Sequence, residues 1–126
     1  MAEKKEITVR ADIFNHLQEC TEPLELVFGE EFLRLFESDS FIEKIAEIRA
    51  ELLKEGISMP LLRLRDYARL EPAEFLILSH QKVLYSEDLA EVGPGTLDYL
   101  VKKVEEITRF HNTEISANVS KYGMLC

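Results

Sequence analysis

Pro23-Leu24-Glu25-Leu26-Val27-Phe28-Gly29, then Ser40-Phe41-Ile42-Glu43-Lys44-Ile45-Ala46-Glu47-Ile48, then Leu62-Arg63-Leu64-Arg65-Asp66 follow one another along the chain, and their patterns decide the fold. The first alternates as a strand does and stops at a glycine. In the second, Phe41, Ile45, Ile48 and Leu52 recur at helical spacing, widened by Ile42, Ala46 and Leu53, with Glu43, Lys44, Glu47 and Glu51 on the solvent side. Ser40 and Glu43 have the spacing of a capping box, and Gly56 is placed to end the helix in a left-handed conformation. The third alternates leucine with arginine, as expected for a strand with one buried and one charged face. Strand, helix and strand from Leu24 to Arg65 make a βαβ unit, whose crossover should be right-handed and whose strands should be parallel.

Outward from this unit, Phe32, Leu33, Leu35 and Phe36 predict one or two helical turns after Gly29. Beyond a turn at Glu71-Pro72, the runs Phe75 to Ser79 and Lys82 to Tyr85 flank His80-Gln81 and predict a tight hairpin that lacks the usual glycine. Gly93-Pro94-Gly95 breaks the chain. From there Leu97, Leu100, Val101, Val104, Ile107, His111 and Ile115 predict a long amphipathic helix with Thr96 as N-cap. At the other end, Ile7 and Val9 suggest a strand from Glu6 to Arg10, and Ile13, Phe14 and Leu17 a short helix from Asp12 to Cys20. The expected fold is α+β: a small mixed sheet of about four strands, the βαβ unit plus an antiparallel hairpin, packed against two long amphipathic helices. With 126 residues, no repeat and no low-complexity linker, residues 1–126 read as one domain.

Composition narrows the partners. Hydrophobic residues at 46% and charged residues at 31% are those of a folded globular protein. The formal charge of -9 repels phosphate backbones and anionic headgroups, which argues against nucleic acid and membrane surfaces. No apolar run is long enough to span a bilayer, and Met1-Ala2-Glu3-Lys4-Lys5-Glu6 lacks a signal-peptide core, so the chain is expected in the cytoplasm without membrane insertion. Cys20 and Cys126 do not make a disulfide framework, and folding should need neither a metal nor reduction-sensitive bonds.

The order Pro23-Leu24-Glu25-Leu26, Gly29, Ile45, Ile48-Arg49, Gly56, Pro60, Arg63-Leu64-Arg65-Asp66, Leu70, Pro72 and Phe75 resembles the cytoplasmic region of the FHIPEP family, the export-gate proteins of flagellar and virulence type III secretion. Val104, Glu106, Ile107, His111, Glu114 and Ile115 resemble that family's later helix. Tyr67 stands where the family usually has asparagine, and a short connection from Asp88 to Thr96 replaces its inserted subdomain. The resemblance implies the α+β fold and a role among secretion proteins; without the family's membrane half, it does not imply the gate itself.

Candidate chemistry is sparse. Arg63 and Arg65, two apart on a strand, share a face and are placed to clamp a carboxylate, either a partner's or one of the chain's own on a neighbouring helix. Asp66 is expected to accept N–H groups at the strand end. Phe32, Leu33 and Phe36 form a candidate docking patch for a helix or extended peptide, or else part of the core. His16, Cys20, His80, His111 and Cys126 show no metal-ligand spacing, and no phosphate loop or activated nucleophile is present, so no catalytic residue, cofactor or metal is expected. The expected function is non-enzymatic: a docking or regulatory module that binds other proteins, among them secretion components, chaperones or substrates. The alternative is a small acidic chaperone-like protein that binds an unfolded secretion substrate. The sequence leaves the oligomeric state open.

Overall fold

A computed structural model describes residues 22–115; the readings for Glu6 to Arg10, Asp12 to Cys20 and Cys126 lie outside the described residues. Strand β1 (Glu25–Phe28) leads into a 3-10 helix (Glu30–Phe36), then α1 (Ser40–Lys54), β2 (Arg63–Asp66), the hairpin β3 (Glu74–Ser79) and β4 (Lys82–Asp88), and α2 (Thr96–Phe110). The strands lie in the order β2-β1-β3-β4. β1 pairs parallel with β2 and antiparallel with β3, which makes the mixed sheet and the βαβ unit that the alternation and helical spacing predict.

Residues two apart on β1 point to one face. Leu24, Leu26 and Phe28 meet Phe41, Ile45 and Leu52 of α1 and Leu100, Val101 and Val104 of α2 in the main core. On the other face Val27, Leu76 and Leu78 form a smaller cluster, onto which Tyr67 and Val83 pack. Every residue of β1 and β3 is therefore buried, because both strands are interior and both of their faces are covered.

α1 ends as its glycine requires. The N–H of Gly56 bonds the carbonyl of Leu53, and that of Ile57 bonds Leu52, while Gly56 itself has φ +83°. Its start differs from the capping-box reading: Asp39 is the N-cap, Ser40 is already helical, and its N–H donates to Ser38 Oγ at 3.3 Å. α2 starts in the same manner, with left-handed Gly95 as N-cap, while Thr96 Oγ1 accepts a bond from the N–H of Gly93 at 2.9 Å. The stripe on α1 is also narrower than expected. Ile42 and Leu53 are 49% and 65% exposed, since the sheet and α2 together cover only the side that carries Phe41, Ile45 and Leu52.

Lys44 of α1 pairs with Asp98 of α2, and Glu55, just past the end of α1, pairs with Arg109. Each helix thus advances eleven residues between two ties, so the two lie side by side and parallel. The hairpin turns without glycine because His80 and Gln81 both adopt positive φ, +45° and +74°, the type I′ geometry that matches strand twist. Gly29 is needed for closeness instead: a Cβ there would lie 2.0 Å from the Glu71 carbonyl oxygen, where β1 meets the loop before β3.

Candidate functional site

Parallel pairing sets Glu25 opposite Arg63 and Val27 opposite Arg65, so both arginines fall on the face of β2 that carries Glu25 on β1. Arg65 Nη2 lies 2.7 Å from Glu25 Oε2, and Arg63 Nε lies 4.0 Å from the same oxygen. Arg63 Nη1 also donates to Glu22 Oε2 at 3.1 Å. The clamped carboxylate is thus the chain's own, on the neighbouring strand rather than on a helix. Glu25 is only 2% exposed. Burial pushes its carboxyl above the usual range, and the attraction of Arg65, then of Arg63, offsets that only in part. This arrangement ties β1 to β2 through charge as well as through the ladder. Glu25 was not among the residues singled out from sequence, although an acidic residue in a strand predicted to run beside an Arg-x-Arg strand was the available signal.

Asp66, at the end of β2, is exposed. The N–H at this strand end, that of Tyr67, donates instead to the Phe28 carbonyl at 3.0 Å, because the parallel ladder continues one residue past the strand.

The aromatic patch divides. Phe32 is fully buried, its ring edge-on to Phe75 at 5.9 Å and to Phe28 at 6.3 Å, so it has no surface to offer a partner. Phe36 is half-buried between Phe28 and Phe41, with ring centroids at 4.6 and 4.9 Å. It joins the 3-10 helix to the start of α1. Leu33, 45% exposed, is the most open of the three. Of the two readings left open, Phe32 takes the core one, while Phe36 keeps part of its ring at the surface.

A polar cluster that the sequence reading missed joins β4 to α2. Glu87 Oε1 accepts bonds from the phenols of Tyr85 and Tyr99, each at 2.7 Å, and the Lys103 ammonium lies 4.8 Å and 5.5 Å from their ring centroids. Burial and the Glu87 bond hold the Tyr85 phenol above the ordinary tyrosine range. An open hollow of about 390 Å³ beside it is lined by Glu87, Leu89, Glu91 and Tyr99. No single spacing marks this cluster, since its members come from two distant elements. His111 meets Glu114 at 3.2 Å, and Glu114 also pairs with Lys82, which ties the end of α2 to the hairpin. Among the described residues, no group of three or more His, Cys, Asp or Glu is placed to hold a metal ion, and no helix is long and apolar enough to cross a membrane.

No protein-family model matches the chain, and no curated protein does. Solved structures do. The chain is similar to Shigella flexneri MxiA, with TM-score 0.52 and 14% identity over 77% of this chain and 37% of that one. It is also similar to Chlamydia pneumoniae CdsV, with TM-score 0.49 and 23% identity over 59% of this chain and 24% of that one. For nonameric SctV-C of EPEC the TM-score is 0.45 and the identity 21%, over 55% and 20%. The chain spans little more than a third of MxiA, and what the two share at this identity is the fold.

Proposed function

We propose that this chain is a non-enzymatic protein-docking or regulatory module that works in the cytoplasm beside a type III secretion or flagellar export apparatus. The observation that supports it is one of coincidence. The stretch from Pro23 to Phe75 that resembles the export-gate family is the one that builds β1, α1, β2 and the start of β3, in a fold similar to that of MxiA. The charged clusters add to it, because Glu25, Arg63, Arg65 and Glu87 are engaged with one another or with tyrosines rather than gathered around a reaction site. Of the residues first considered for binding, Leu33 and Arg63 are exposed and Phe36 is half-buried. The fold likeness favours this reading over a small acidic chaperone.

The test is photo-cross-linking in cells that encode the chain, with the cross-linker placed at Leu33 and, separately, at Arg63. Adducts with export-apparatus proteins or their cargo are the expected result. Adducts confined to proteins unrelated to export would overturn it.

A further inference from the structure

The flank of α1 that faces away from α2 is apolar and is covered by no other element among the described residues. Lys44 and Glu55 mark the side bound to α2. On the opposite side Ile42, Ala46, Ala50 and Leu53 all fall within one narrow arc of the helix and are all exposed. The stripe runs for about 16 Å. α2 lies over the β4 end of the sheet, where Lys103 covers Tyr85, so the stripe overhangs the β2 edge. From the edge of this stripe Glu43, Glu47 and Glu51, four residues apart on successive turns, run across the solvent face toward the side bound to α2. Like charges at this spacing repel. No ion pair among the described residues reaches any of the three, whereas Lys44 is already tied to Asp98.

We propose that this flank is a docking site for an amphipathic helix of a partner protein, with its apolar stripe flanked by a row of lysine or arginine residues. The proposal rests on the docking reading above and gives it a surface and a partner chemistry. Charge selects the occupant. A cationic row relieves the repulsion along Glu43, Glu47 and Glu51, while a second copy of a chain with formal charge -9 adds to it. The apolar stripe supplies the desolvated contact and the row supplies orientation and selectivity.

Two synthetic helical peptides with the same leucine stripe, one flanked by lysines and the other by glutamates, provide the probe. Fluorescence anisotropy should show the lysine peptide binding the chain, weakening about tenfold or more when Glu43, Glu47 and Glu51 are all changed to lysine, with preference then passing to the glutamate peptide. Leu53→Lys should abolish binding of either peptide, and circular dichroism should show both variants folded, since every substituted side chain is exposed. Equal binding of the two peptides, or binding indifferent to Leu53→Lys, would overturn the proposal. So would self-association in sedimentation equilibrium that Leu53→Lys removes, because it would make the occupant a second copy. Cross-links to export proteins at Leu33 that persist in the Leu53→Lys variant, together with failed peptide binding, would sink this site and leave the docking reading standing.

Discussion

The two faces of the sheet are built from the same four strands by opposite means. The face under α1 and α2 is closed at its centre by apolar side chains, Leu26, Phe28, Phe75 and Ile77 against Phe32, Phe41, Leu52 and Leu100, with the Glu87, Tyr85, Tyr99 and Lys103 cluster at its β4 side. The far face has no helix of the described residues upon it. Val27, Leu76 and Leu78 are covered there by Tyr67, Leu70 and Val83, and next to them sits a buried carboxylate held by two arginines. A helix-covered face gains stability from area and packing. The other face trades part of that gain for an ion pair whose Coulomb attraction and desolvation cost nearly cancel, and which fixes strand register more than it stabilises. Tyr67, where the resembling family usually has asparagine, adds apolar cover on this weaker side.

The helix side should therefore give the largest effect. Phe32→Ala removes a fully buried ring that bridges Phe28 and Phe75, and should cost about 3 to 5 kcal/mol in denaturant unfolding. A loss near 1 kcal/mol would mean that the 3-10 helix is a loose cover, and that the two faces differ less than their composition says.

On the far face, Arg65→Ala should come next, at about 3 kcal/mol near neutral pH, since it leaves the Glu25 carboxylate buried with only Arg63 at 4.0 Å. Glu25→Gln should have the opposite sign. Burial holds the folded-state carboxyl above its ordinary pKa, so the folded form favours the proton. The stability contributed by this group is then fully present below the unfolded pKa and is lost as pH rises through the raised folded one. The glutamine variant should match the parent at low pH and exceed it by about 1 kcal/mol or less at neutral pH. A variant less stable than the parent at neutral pH would show that the arginines more than offset the burial of the charge.

The same contrast explains what was legible in the sequence. The helix side was, because period 3.6 in α1 and α2 and period 2 in the strands each record a single apolar partner surface: Phe41, Ile45, Leu52, Leu100 and Val104 all went where their spacing put them. The parallel pairing of β1 with β2 and the His80-Gln81 hairpin followed from connection length and alternation. Local turn chemistry was less legible. Ser40 and Thr96 each stood one residue inside the helix they were expected to cap, since Asp39 and Gly95 offered the backbone an equivalent start. The candidate site was hardest to read. That Arg63 and Arg65 share a face was evident from their spacing, but the carboxylate they meet depends on register, and the Glu87, Tyr85, Tyr99 and Lys103 cluster depends on how α2 is laid across β4.

The smallest expected effect concerns Asp66, for which the sequence argued a large one. A strand-end aspartate that satisfies buried N–H groups would cost about 1 to 3 kcal/mol when truncated, because its donors would be left unpaired. Here the donor at that end, Tyr67 N–H, is already satisfied by the Phe28 carbonyl, and the aspartate is exposed. Asp66→Ala should therefore change stability by no more than about 0.5 kcal/mol, as exposed positions do. Arg63→Ala should cost more, up to about 1 kcal/mol, through its partly exposed bond to Glu22 and its help to Glu25. The ranking is then Arg65, Arg63, Asp66, following how close each group lies to the buried Glu25 carboxylate on that face. Parallel denaturant titrations of the three alanine variants would check it, and an Asp66 effect larger than that of Arg63 would mean that the far face is held by its strand end rather than by the Glu25 clamp.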